Sequence, residues 1–487
     1  MKILSIKDSI IKIQSESGHH INQMVTFDEK YRGMILKTNE NFSYVLVDES
    51  SNISINSKYK VTNEILKVSF DNSLLSKVSD AFGNILFEEP DSFIGKQEKY
   101  PAKLVDSKAP MFYDREKLNA PLMTGIFSID SLIPIGLGQR ELIIGDRKTG
   151  KTSIALSAIV RNKASNLKTI YVSIGQKQNA INSAYSILKE NKALDNVAIV
   201  VAQPEHKLSQ YLAPYIAMAY AEGMQSKGED VLVIFDDLSK HANMYREMSL
   251  NMDKSGGREA YPSDLFYAHS KLLERAGKFR EDIGGGSITA LPIIETVEGD
   301  FANLLATNVI SITDGQIIMD SSLAKDGAYP AIDIGKSVSR TGSAVQSKVM
   351  KSVAREISAI YAQYIDASKY ELISLETSDS VKNAISKGKA LTNAFIQLGY
   401  EGRSPEEMLM LGRMIEWNII GDQQVSLSEL IAQSQKDKTG RIIIESFRKT
   451  GNINKKIATA YFKSIIGADN DFKAKRSEIE RKEFFNA

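Results

Sequence analysis

Eight residues carry the most specific chemistry in this 487-residue chain: Gly145-Asp146-Arg147-Lys148-Thr149-Gly150-Lys151-Thr152, spaced as Gly-x-x-x-x-Gly-Lys-Thr. Glycines let a backbone turn its N–H groups inward around phosphate oxygens, and a helix starting at the end of the loop aims its positive pole at the same place. Lys151 would then reach the β- and γ-phosphates and Thr152 would ligate magnesium, with Ser153 in the first helical turn. The bare spacing also fits an ordinary glycine turn. The apolar run Leu142-Ile143-Ile144 before it and Ser153-Ile154-Ala155-Leu156 after it supply strand and helix, which favours a nucleotide site. A second signature lies downstream, where Val231-Leu232-Val233-Ile234-Phe235 runs into Asp236-Asp237. A carboxylate at the end of a buried strand can order the shell of a magnesium ion, here through water to Asp236. ATP or ADP with Mg2+ is therefore the expected cofactor set.

These groups need elements to hold them. Up to about residue 70 the chain alternates apolar and polar residues between short turns, with strands expected at Ile10–Ile13, Met24–Phe27, Gly33–Lys37, Tyr44–Val47 and Ile65–Val68. That pattern predicts a small antiparallel barrel or sandwich. From about 71 to 346, apolar strands such as Thr169–Ile174 and Val197–Val201 alternate with longer helical stretches, predicting a mostly parallel sheet wrapped by helices. Ser263 heads an amphipathic helix as its expected cap, and Gly284-Gly285-Gly286 is open between a hinge and a tight turn. From about 347 to 487, helical periodicity takes over, ending in the mixed-charge face Lys473–Lys482. Three domains are expected: 1–70, 71–346 and 347–487.

Composition narrows the rest. Lys and Arg number 61 against 60 Asp and Glu, so nothing global advertises nucleic acid or an anionic membrane. With no cysteine, disulfides, thiolate metal sites and a cysteine nucleophile are excluded, which fits a cytoplasmic protein. His19 and His20 read as a surface loop. No apolar run approaches bilayer-spanning length, so any membrane contact is expected through partners, on the inner face.

Laid end to end, several segments resemble the alpha subunit of the rotary F-type ATPase: Pro121–Ile126, Pro134–Arg147, Asp236–Lys240, Gly257–Pro262, Thr307–Gln316 and Ser337–Ala344. The resemblance is dense from about 120 to 346, looser in the barrel and weak in the last third. It implies an α/β RecA-like P-loop core with an N-terminal β-barrel and a C-terminal α-helical domain. It further implies a hexameric head, in which alpha-type chains alternate with catalytic beta-type chains around a central rotor shaft. The alpha type binds nucleotide without turning it over. Hydrolysis by such a fold wants a carboxylate at the end of the strand next to the phosphate loop, where it can orient the attacking water. Here that strand runs into Gly175-Gln176-Lys177, with Gln176 where catalytic relatives carry glutamate. Arg340 matches the arginine finger that the alpha type extends toward its neighbour's γ-phosphate, and Ser311 matches a residue lining that shared interface.

The sequence also departs from the family. Lys148 stands where glutamine is usual, adding positive charge near the phosphates, and Tyr329-Pro330 replaces an arginine-proline pair near the adenine. Gln397 is the expected adenine-side contact from the helical domain. A longer segment ahead of the barrel meets the stator in the family, so attachment to a standard stator is not implied here. These departures admit a second reading, an alpha-like subunit of a specialised F-like ATPase that powers motility or a cell-surface machine. From another class, a homohexameric RNA- or protein-translocating ATPase shares the core, but it needs its own catalytic carboxylate and a nucleic-acid surface. Gln176 and the balanced charge count against that.

Overall fold

Period-two alternation in the first 65 residues folds as six antiparallel strands, Ile3–Lys7, Ile10–Gln14, Gln23–Phe27, Tyr31–Thr38, Phe42–Val47 and Tyr59–Ile65. In space they run first, second, fifth, fourth, third, sixth. One face supplies a closed core from Ile11, Ile13, Val25, Phe27, Ile35, Val45, Val47 and Tyr59. The sheet curls about that core: Tyr59 of the last strand donates its hydroxyl to the Gln14 carbonyl of the second at 3.2 Å. The other face is apolar too. Ile10, Met34, Tyr44 and Leu46 join the large core of the neighbouring α/β layer, and the backbone N–H and hydroxyl of Ser209 each meet Asp48 at 2.8 Å.

The first strand, Ile3–Lys7, was not foreseen, and two others differ from expectation. The one foreseen at Ile65–Val68 is divided, because Tyr59–Ile65 ends there and Lys67–Val68 leaves the sheet to pair with Lys103–Leu104. Tyr59–Ile65 was missed since Lys60, Thr62, Asn63 and Glu64 give it a polar composition. The computed structural model describes residues 2–15, 18–48, 50–88, 98–252, 256–371, 378–420, 427–436, 438–450 and 455–467. Lys473–Lys482 lies outside them.

The central sheet is parallel through seven strands, in the order Gly315–Ile318, Leu142–Asp146, Ser287–Thr296, Asp230–Asp236, Lys168–Ile174, Val197–Ala202 and Val78–Asp80, with antiparallel Val338–Ser339 and Ile85–Phe87 at its edges. Helices such as Lys151–Arg161 and Lys207–Gln225 cover it. Its strands are near-continuous apolar runs because both faces are buried. Gly284, Gly285 and Gly286 all take positive φ, and a side chain on Gly284 or Gly286 would collide with backbone between Ser226 and Glu229. They form a tight turn. Ser263 precedes the helix Asp264–Leu273 without a side-chain cap bond. From Lys348 on, the described residues are mainly helical, in Lys348–Glu371, Asp379–Phe395, Pro405–Glu416, Leu427–Ser434, Lys438–Thr450 and Lys455–Gly467. Pro405 opens its helix behind a capping box in which Ser404 and Glu407 exchange backbone bonds. Among the described residues no helix is long and apolar enough to cross a membrane.

Candidate nucleotide site

The strand Leu142–Asp146 delivers the loop and Lys151–Arg161 begins directly after it. Gly150 caps that helix at φ 98°, in the left-handed region that a side chain would strain. A Cβ on Gly145 would press into the Met319 backbone. Lys151 is only 8% exposed and spans the loop, donating to the carbonyls of Gly145 at 2.9 Å and Asp146 at 2.6 Å. Burial lowers its pKa, while Glu295, Asp237, Asp236 and Asp146 pull it back up. Asp146 is fixed by Thr296 at 2.7 Å and by the Gly299 N–H at 2.9 Å. Thr149 donates to the Asp146 carbonyl at 2.8 Å. Arg147 and Lys148 are exposed at the loop's outer edge, Lys148 at φ 63°, and Ser153 is half-buried in the first turn.

Three donors converge on the Asp236 carboxylate: Thr152 at 2.8 Å, Tyr171 at 2.7 Å and the Gln176 amide at 2.9 Å. Thr152 and Asp236 thus bring a hydroxyl and a carboxylate oxygen together, the hard donors that magnesium takes alongside water and phosphate. Burial, then the charge on Asp236, raises the phenol pKa of Tyr171 well above its usual value and keeps it a donor. The Gln176 amide is held at both ends. Its nitrogen also lies 3.4 Å from Asp237, and its oxygen accepts from the Lys240 ammonium. Asp237 caps the helix Leu238–Asn251 by accepting the Lys240 N–H at 2.8 Å. Burial and the adjacent Asp236 push its pKa up to about 7.

The strand order corrects one expectation. Lys168–Ile174, which leads to Gln176, is not next to the phosphate-loop strand; Ser287–Thr296 and Asp230–Asp236 lie between them. At about 4.8 Å per spacing, that is about 14 Å across the sheet, so Gln176 enters the site beside Asp236. Of the two strands that flank Leu142–Asp146, Ser287–Thr296 brings up Glu295, in register with Gly145. Its carboxylate acts most strongly on Lys151. Sequence reasoning missed Glu295, Asp237, Tyr171 and Lys240 as members of the site. Only Asp237 carried a local signal, as the polar residue opening a helix.

The remaining residues divide between two places. Tyr329 lies against the loop, its ring about 3.9 Å from where a Gly150 Cβ would stand, and its bond to Pro330 is cis. Gln397 donates its N–H to the Tyr329 carbonyl at 2.8 Å, but its amide is engaged elsewhere, accepting from Phe127 at 2.7 Å and donating to Gly125 at 2.9 Å. As placed, its side chain clamps the helical region to the Gly125–Phe127 turn. Arg340 stands at the opposite end of the sheet edge, exposed, with its N–H on the Asp314 carbonyl at 2.8 Å. Ser311 is exposed nearby in the chain, donating to Asn308 at 2.6 Å.

Comparison with known proteins agrees with this geometry. Residues 125–339 match the ATP synthase alpha/beta family, nucleotide-binding domain. The chain is 40% identical over 474 residues to ATP synthase subunit alpha 2 of Mycoplasmopsis pulmonis, covering 95% of this chain and 91% of that one. It is 39% identical over 479 residues to ATP synthase subunit alpha of Clostridium acetobutylicum, covering 96% and 94%. With Mycoplasma capricolum ATP synthase subunit alpha it shares 42% over 398 residues, covering 81% and 75%. Phosphate loop, sheet order and near full-length identity converge, and the chain belongs to the family of ATP synthase alpha subunits.

Proposed function

We propose that this chain is a non-catalytic subunit that holds Mg-ATP or Mg-ADP in its own site and completes the catalytic site of a beta-type neighbour with Arg340. Regions 1–70, 71–346 and 347–487 serve as crown, nucleotide core and base of an alternating hexamer around a rotor shaft, held at the inner face of a membrane by partners alone. The observation that carries the reading is the doubly held Gln176 amide, since an amide has no proton to take and none to return at working pH. Gly145 through Ser153 wrap the phosphates, with Lys151 on the β- and γ-phosphates, and Tyr329 and Pro330 flank the base. Thr152 and Asp236 would hold magnesium, which would supply charge neutralisation at the phosphates. Glu295 serves as counter-charge to Lys151. Arg340 is planar, permanently charged and free to reach outward, which suits a finger worth about 10³–10⁵ in rate. Ser311 lines the same boundary.

Purified alone, the chain should retain nucleotide and show negligible turnover. Brisk turnover abolished by Glu295→Gln would make Glu295 a general base and end the reading. In the reconstituted head, Arg340→Ala should lower hydrolysis by about 10³–10⁵-fold with assembly intact; near-normal rates would remove the finger.

A second reading, a paralogue serving a specialised motor that drives motility or a surface machine, draws on the relative named subunit alpha 2 and on Lys148 and Tyr329. Identifying what co-purifies with the chain separates the two.

A further inference from the structure

The segment that presents Arg340 rests on a buried polar relay. Ser339, immediately before it, donates its hydroxyl to the Pro134 carbonyl at 2.7 Å and accepts from Gln139 Nε2 at 3.1 Å. The other Gln139 N–H goes to Glu141 Oε2 at 2.7 Å, and Gln139 Oε1 accepts from the Gly136 N–H at 2.7 Å. Glu141 is fully buried, and its Oε1 has no hydrogen-bond partner. Burial and the nearby Asp314 raise its pKa well above the usual carboxylate range, while the Arg340 charge pulls the other way.

Two further facts make this more than packing. Enclosing a carboxyl for a single hydrogen bond costs stability, so the fold alone gives little reason to keep it. Space is also made for it: a Cβ on Gly315 would collide with the Glu141 carboxyl and with the Val338 carbonyl. Gly315 pairs with Ser339 across the sheet edge. Glu141 leads directly into Leu142–Asp146, the strand that carries the phosphate loop at its far end.

We propose that Glu141 is a positioning residue for Arg340. Its carboxyl orients the Gln139 amide toward Ser339 and so fixes the backbone from which the guanidinium reaches the neighbouring subunit. This rests on the finger reading above. The relay uses only an acceptor oxygen at this position, so a side-chain amide can replace the acid, whereas a methyl group cannot.

The test uses the reconstituted head with Glu141→Ala, Glu141→Gln, Ser339→Ala, Arg340→Ala and the Glu141→Ala/Arg340→Ala pair. Glu141→Ala should lower kcat by about 10²-fold, the scale of a misplacement of about 1 Å, with KM, assembly and ADP retention unchanged. Glu141→Gln should restore kcat, and the double variant should be no slower than Arg340→Ala. If Glu141→Ala does not assemble, Ser339→Ala reads the same relay from its other end and should give the same kcat loss. Parent kcat in Glu141→Ala or Ser339→Ala overturns the proposal, as does an equal further loss when Glu141→Ala is added to Arg340→Ala. A harmless Arg340→Ala sinks the finger reading itself, which separates the two failures.

Discussion

Gln176→Glu tests the centre of the site, because it places a third carboxylate where the structure has an amide donor. The amide nitrogen lies 2.9 Å from Asp236 and 3.4 Å from Asp237. Like charges at those separations repel by about 6 and about 5 kcal/mol at an effective dielectric of about 20. The Lys240 ammonium, which already contacts the Gln176 oxygen, returns about one such interaction. The lost amide-to-carboxylate bond adds about 1.5–3 kcal/mol. Gln176 is half-buried, so screening reduces the sum, and a net loss of about 2–4 kcal/mol is expected where all three acids are ionised. Below the Asp237 pKa of about 7 that carboxyl can hold a proton, which removes the smaller of the two repulsions, and the Lys240 attraction then offsets the one that remains. The variant should therefore melt several degrees below the parent at pH 8, close to it at pH 5.5, and be rescued by Mg-ADP. Thermal unfolding at both pH values, with and without Mg-ADP, checks this. A melting temperature matching the parent at pH 8, or a deficit that neither acid nor Mg-ADP relieves, would refute the placement of Gln176 beside Asp236.

Lys151→Ala should empty this chain's site, read by equilibrium dialysis, and only modulate hydrolysis by the assembled head; complete loss would mean the site itself turns over. Asp237→Asn keeps the acceptor for the Lys240 N–H but removes a titration raised from 3.8 to about 7. Because its folded pKa is raised, the Asp237 contribution is present below about pH 4 and is lost as pH rises through about 7, so the variant should gain on the parent between pH 5 and 8 in thermal melts. A constant difference would count against it. Arg275 is 1% exposed, and it clasps both oxygens of Glu222 at 2.7 and 2.8 Å and donates to the Val105 carbonyl at 3.0 Å. Arg275→Met should cost about 3–5 kcal/mol in denaturant unfolding, and adding Glu222→Met should return most of it, since one stranded buried charge costs more than none.

Much of this was legible along the chain. The phosphate loop needs neighbouring residues only, so its glycines, Lys151 and Thr152 announced themselves together with the strand and helix that flank them. Asp236 was readable for the same reason, as a polar residue ending a long apolar run. Antiparallel, parallel and helical regions followed from periodicity, because the direction in which successive side chains point is a local property. Tyr59–Ile65 escaped because its polar residues mask the alternation.

What the sequence could not state was which strands are neighbours. That order is set by burial of both sheet faces and by crossover connections spanning tens of residues, and no local pattern encodes either. The sheet, once assembled, put Glu295 beside the loop, moved Gln176 about three strand spacings away to Asp236, and gathered Tyr171, Asp237 and Lys240 around it. It also set Glu141 and Gln139 beneath Ser339, about 200 positions later in the chain. Sequence by itself determined that the chain grips phosphate; only the tertiary structure decided which acids, amides and cations surround that grip, because those groups meet across strands rather than along one.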